Sequence, residues 1–166
     1  VSNKKSYFDE VNVIDFNKIQ KIIYNFKPQV IINAIGITKQ RIQEYNFRDI
    51  ELINSIFPHK LADECNKANI RLIHLSTDCV FSGKKGFYDL TDKPDATDIY
   101  GKSKIQGEVN YKNSLTIRKS TIGFELANKK GLLEWLMSQE GDINGYVNAI
   151  YSGVTNLELS NIMMCI

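Results

Sequence analysis

The spacing of apolar residues along this chain switches repeatedly between a strand-like and a helix-like pattern. Residues 11–14 (VNVI) form a short β-branched run that predicts a strand. After it the period changes, and Ile19, Ile22, Ile23 and Phe26 make one stripe of a predicted helix over 16–26. Pro28 is expected to end that helix, because proline has no N–H to give the preceding turn. Residues 29–35 (QVIINAI) are almost continuously apolar, which predicts a strand buried on both faces of a parallel sheet. Residues 49–68 return to helical spacing, with Leu52, Ile53, Ile56, Leu61, Ala62 and Cys65 on the side expected to be buried. A strand over 70–75, a helix over 100–111 and a strand over 115–118 follow. Beyond Gly123 the rhythm loosens into a helix near 132–137, a glycine-rich turn at 141–145, a loop over 151–155 and a helix beginning at Leu157.

Strand and helix in alternation predict an α/β fold, a doubly wound parallel sheet of the Rossmann-like kind with right-handed crossovers. Ligands of such sheets bind at the carboxyl ends of the strands. Asn33-Ala34-Ile35-Gly36, Ser76-Thr77-Asp78 and Ser120-Thr121 all fall at those ends and are expected to converge on one edge.

Composition narrows the classes. The chain has 166 residues, 43% hydrophobic and 24% charged, enough for one globular core. A net charge of +2 does not suggest a nucleic-acid partner, which calls for a concentrated basic face. Lys84-Lys85 and Lys129-Lys130 read as solvated loops. Cys65, Cys79 and Cys165 are odd in number and widely spaced, which indicates neither a disulfide framework nor a metal site and suits a reducing, cytoplasmic compartment. His59 and His74 read as a surface and a core histidine rather than ligands. With no apolar run of about 18 residues and no leader-like start, no membrane association is expected.

The chemistry concentrates in residues 75–108. Tyr100 and Lys104 are four apart on a predicted helix, so phenol and ammonium share a face. A neighbouring cation stabilises phenolate and would draw the Tyr100 pKa down towards the range useful for proton transfer. The spacing by itself is no rarer than chance allows in a chain this rich in Tyr and Lys. Its setting is more specific: a strand ending in Ser76-Thr77-Asp78, then a Gly- and Pro-containing loop, then the Tyr and Lys.

Three motifs occur in order: STDCVFSG over 76–83, Tyr88 with Asp92 and Pro94, and YGKSK over 100–104 followed by Gly107-Glu108. In these the chain resembles the extended short-chain dehydrogenase/reductases, specifically the dTDP-4-dehydrorhamnose reductase-like branch. The resemblance implies Thr77, Tyr100 and Lys104 as catalytic residues. It implies Ala34, Ile35, Gly36 and Asn54, with Tyr100 and Lys104, beside an NADPH or NADH cofactor, and Thr77, Asp78 and Thr121 beside a nucleotide-sugar substrate. No metal is implied, and a homodimer is compatible with it. Three positions depart from the branch: Ile35-Gly36-Ile37 replaces an Ala-rich turn, Lys119 stands where Thr is usual, and Thr121 replaces an aromatic residue that contacts substrate.

On this reading residues 1–123 are a partial dinucleotide-binding domain lacking the first Gly-rich βαβ unit, and 124–166 begin a substrate-binding region. The isolated chain is then expected to bind dinucleotide poorly, to be weakly soluble and not to turn over, because the helix N-terminus that holds pyrophosphate is missing. The implied activity is reduction of a 4-keto-6-deoxy nucleotide sugar for surface polysaccharide precursors. The alternatives are a nucleotide-sugar epimerase or dehydratase of the same superfamily, a non-catalytic regulatory subunit, and a complete small α/β domain that binds no dinucleotide.

Overall fold

The structure, a computed structural model, describes residues 11–111, 113–125, 131–150 and 152–166. Lys129-Lys130 and Tyr151, assigned above to loops, lie outside the described residues. Helix α1 (Phe16–Phe26) ends where Lys27 turns left-handed at φ 49° and returns its N–H to the Ile23 carbonyl, immediately before Pro28. Strand β1 (Val30–Asn33) pairs in parallel with β2 (Arg71–Leu75), and β2 with β3 (Ser114–Ile117), giving the order β1-β2-β3. Between β1 and β2 runs one helical stretch: α2 (Phe47–Ile50), a π-helical turn (Glu51–Ile56) and α3 (Phe57–Lys67). Helix α4 (Ile99–Gln106) connects β2 to β3. A second parallel pair, β4 (Thr121–Ile122) with β5 (Val154–Thr155), is accompanied by α5 (Leu132–Met137) and α6 (Asn156–Met164).

One sheet face carries the core. Leu72 of β2 is buried with Ile23 of α1, Phe57, Leu61, Ala62 and Cys65 of α3, Ile70 and Val109. This is the crossover geometry that the alternating pattern predicts.

Four expectations are corrected. Residues 11–14 are not a strand but lead into a turn: Asn12 accepts the Asp15 N–H on its carbonyl and the Ile14 N–H on its side chain. A β-branched run forms a strand only where a ladder partner exists, and here an Asn supplies a local alternative. Strand β1 is not buried on both faces, since Val30 and Ile32 remain 45% and 49% exposed. It is one of the two edge strands of this sheet. The long helix is interrupted by its π-helical turn, which rotates the faces that follow and buries Asn54 and Ser55 while leaving Ile56 exposed. Finally, α4 stops at Gln106 rather than reaching Tyr111.

Gly107 explains that last boundary. A Cβ built on it would meet the Asn54 carbonyl oxygen at 1.9 Å and the Pro58 ring at 3.3 Å. Pro58 has no N–H to offer that carbonyl, so the oxygen is free to lie against the bare Cα of Gly107. Gly107→Ala is expected to destabilise the fold by about 1–3 kcal/mol, the cost of forcing a methyl into a packed contact. Gly145→Ala, where a Cβ meets nothing within 4 Å, is the matched control. Equal urea midpoints for the two variants in the full-length protein would remove this packing argument.

Candidate active site at the carboxyl edge of the sheet

Thr77 leaves β2 in extended conformation and caps the short 3-10 turn Asp78–Val80, its hydroxyl accepting the Cys79 N–H at 3.2 Å. That hydroxyl donates to Asp78 Oδ1 at 3.2 Å, and Thr77 is only 7% exposed. Asp98 caps α4 by accepting the Gly101 N–H at 3.0 Å, which fixes the start of the helix that carries Tyr100 and Lys104. Gly101 permits the approach: a Cβ there would lie 2.4 Å from Ala96 Cβ and 2.6 Å from the Cys79 carbonyl oxygen. The turn after β2 and the head of α4 are thereby pressed together, and the Tyr100 phenol interacts with the Thr77 side chain.

The Lys104 ammonium is buried and donates to the Leu75 carbonyl at 3.0 Å, at the last residue of β2. Burial holds its pKa down to about 8, the charge of Lys119 pushes the same way, and Glu108 opposes. The Tyr100 phenol titrates above its ordinary value, chiefly because of burial, with Thr77 pulling the other way. The expectation that Lys104 draws the Tyr100 pKa down is therefore corrected in this structure: desolvation wins, and the ammonium is committed to a backbone carbonyl.

Asn54 is placed differently from a residue that faces a cofactor. It is fully buried; its Oδ1 accepts the Ile37 N–H at 2.8 Å, and its Nδ2 donates to the Ile37 carbonyl at 3.0 Å and to Ser103 Oγ at 3.1 Å. Ser103 in turn donates to the Tyr100 carbonyl at 2.8 Å, and Ser55 donates to the Ser103 carbonyl at 3.0 Å. Asn54 thus ties the turn after β1 to α4, a positioning role. Ala34, Ile35 and Gly36 stay exposed on that turn. A Cβ on Gly36 would lie 3.3 Å from Asn54 Oδ1 and 3.7 Å from Lys104 Nζ, so the bare glycine leaves the approach to the ammonium open.

Asp78 is exposed beside Thr77, and Thr121 at the start of β4 accepts a hydrogen bond from Lys119 Nζ at 3.1 Å. The three strand ends do meet at one edge: Ser76 N–H bonds the Ile117 carbonyl at 2.8 Å and Asp78 N–H the Lys119 carbonyl at 3.3 Å. Sequence reasoning missed the brace behind them. Arg118 holds Glu108 with two hydrogen bonds, 2.8 and 2.7 Å, Ser76 Oγ donates to the same carboxylate at 3.0 Å, and the guanidinium lies 5.1 Å from the Phe81 ring centre. The only signal for it was that Glu108 closes a recognised motif and Arg118 ends a predicted strand. Among the described residues no metal-binding cluster is found, and no helix is long and apolar enough to cross a membrane.

A parallel α/β sheet that gathers a hydroxyl, a phenol and an ammonium at its carboxyl edge is a Rossmann-like arrangement. The chain belongs to the RmlD substrate binding domain family, whose model matches residues 2–123. It is 33% identical over 101 residues to methionine adenosyltransferase 2 subunit beta of Bos taurus, covering 61% of this chain and 30% of that protein. It is 36% identical over 102 residues to dTDP-4-dehydrorhamnose reductase of Aggregatibacter actinomycetemcomitans, covering 61% and 35%. Among solved structures, the dTDP-4-dehydrorhamnose reductase of Bacillus anthracis in complex with NADP superposes with a TM-score of 0.79 at 25% identity, covering 95% of this chain and 59% of that one. The chain spans about a third of the length of the curated relatives it matches.

Proposed function

We propose that the full-length protein carrying this chain is a nucleotide-sugar reductase that uses NADPH or NADH to reduce the keto group of a 4-keto-6-deoxy sugar. The observation that carries the reading is the gathering of Thr77, Tyr100 and the buried Lys104 at the carboxyl edge of the sheet, by the turn after β2, the Asp98-capped head of α4 and the bond from Lys104 to the Leu75 carbonyl. Residues 1–123 would form the nucleotide-binding part and 124–166 the beginning of the substrate side.

The exposed turn at Ala34 to Gly36, whose bare glycine stands beside the Lys104 ammonium, would hold NADPH or NADH together with Lys104. NAD(P)H, when bound, supplies the hydride. Thr77 and Tyr100 present O–H groups that can both donate to the substrate carbonyl oxygen, and Tyr100 passes its proton to that oxygen as it becomes an alkoxide. A phenol held above its ordinary pKa remains protonated at neutral pH, which is the state a general acid requires. Lys104, charged below about pH 8 and bonded to the Leu75 carbonyl, would hold the nicotinamide ribose rather than set the titration of the phenol.

The second reading is a regulatory subunit, favoured by the 33% identity to a methionine adenosyltransferase subunit beta. One experiment separates the readings. Full-length protein is mixed with NADPH and dTDP-4-keto-6-deoxyglucose, and the reduced-nicotinamide absorbance is followed beside sugar product. Loss of one NADPH for each sugar reduced is expected. Product formed without net NADPH loss would replace the reductase by an epimerase, whereas an inert protein found in stable complex with another enzyme would favour the regulatory role.

A further inference from the structure

Lys119 follows β3 and crosses the carboxyl edge towards β4. Its backbone carbonyl accepts the Asp78 N–H at 3.3 Å, so its main chain is fixed beside the turn that carries Thr77. Its side chain is half-buried, and its ammonium donates to the Thr121 hydroxyl at 3.1 Å. No carboxylate among the described residues forms an ion pair with it. Lys104 is in the same position, buried, bonded to a carbonyl and without an ion pair among those residues. Burial and then the charge of Lys119 lower the Lys104 pKa, and burial lowers that of Lys119 itself, against the charge of Asp78.

Two desolvated cations next to neutral hydroxyls are unfavourable unless an anion joins them. The hydroxyls of Thr77, Tyr100 and Thr121 are uncharged, and the carboxylates whose charge reaches the two lysines, exposed Asp78 and Arg118-paired Glu108, form no ion pair with either. We propose that Lys119 is a substrate-binding residue of this site, its ammonium taking an anionic oxygen, phosphate or carboxylate, carried by the nucleotide sugar. The inference rests on the nucleotide-sugar reading given above and adds to it a charged recognition point beside Thr121. The nucleoside diphosphate and a sugar carboxylate, as in a uronic acid, are the two sources of such an oxygen.

Calorimetry on the full-length protein tests this with UDP, UDP-glucose and UDP-glucuronate, and with dTDP and dTDP-glucose to separate base preference. Lys119→Met keeps the apolar stem and removes the charge; Lys119→Arg keeps the charge. A charge-assisted hydrogen bond predicts that Lys119→Met weakens binding about 10- to 100-fold while Lys119→Arg stays near the parent. Weakening of every diphosphate assigns Lys119 to the phosphates, and weakening confined to UDP-glucuronate assigns it to the sugar. The parent's affinity should fall with added salt more steeply than that of Lys119→Met, a difference that a purely packing role would not produce. If Lys119→Met binds every probe within about twofold of the parent, the inference fails, while keto-sugar-dependent NADPH consumption would leave the reductase reading standing. If the parent binds none of the probes and consumes no NADPH with a keto-sugar nucleotide, both fail.

Discussion

Replacing Tyr100 by Phe in the full-length protein is expected to lower turnover of a keto-sugar nucleotide about 10²- to 10⁴-fold, the usual contribution of a positioned general acid. The ring stays in place at the head of α4, where Asp98 and Ser103 still hold the backbone through Gly101 and the Tyr100 carbonyl. Only the proton donor is lost. Cofactor affinity should therefore stay near the parent's, and kcat should carry the defect. In the parent, activity should decline as pH rises through about 8, where Lys104 loses its charge, while the phenol, held above its ordinary value, is still protonated. Near-normal turnover by Tyr100→Phe would remove Tyr100 from the chemistry, and an alkaline limb displaced well above pH 8 would remove the Lys104 ammonium from it.

Periodicity was sufficient for α1, β2, α5 and the crossover order; Ile23 of α1 and Leu72 of β2 meet in one core, whereas α5 kept its helical pattern without burying any of its residues. It misled at residues 11–14 and on the outer face of β1, where the deciding factor is a partner strand or covering helix, which no local pattern encodes. The hydroxyl, phenol and ammonium were legible as motifs. Their electrostatics were not: an i,i+4 spacing gives a shared face but not where a flexible Lys side chain ends, and here it ends on the Leu75 carbonyl. Asn54 was legible as special, yet its role depends on a π-helical turn that aims it at Ile37 and Ser103. Lys119 stood out as a departure from its branch, and its bond to the Thr121 hydroxyl rather than to a carboxylate became visible only once Asp78 and Thr121 were placed around it.

Stability is expected to fall in mild acid because of His74. The ring is fully buried on β2, opposite Asn33 in the register with β1. Asn33 Oδ1 accepts the Ile35 N–H at 3.1 Å, which turns its amide nitrogen towards His74 Nδ1 at 3.0 Å. Nδ1 is therefore the acceptor and the ring proton sits on Nε2, which has no partner among the described residues. Burial, reinforced by the nearby charges of Lys104 and His59, lowers the folded-state pKa to about 3. An unfolded histidine titrates near 6.5, so between those values the unfolded chain binds a proton that the fold refuses. The contribution is fully present above about pH 6.5 and is lost as pH falls towards 3, at about 1.4 kcal/mol per pH unit, or about 2 kcal/mol by pH 5. The lowered carboxylates, Glu64 among them, also weaken the fold in acid, but they do so below the window from 6.5 to 5. Urea unfolding of the full-length protein and of His74→Gln across that window isolates the effect. The parent should lose stability with the slope of one proton and the variant should be nearly flat, whereas parallel curves would show that His74 is protonated in the fold.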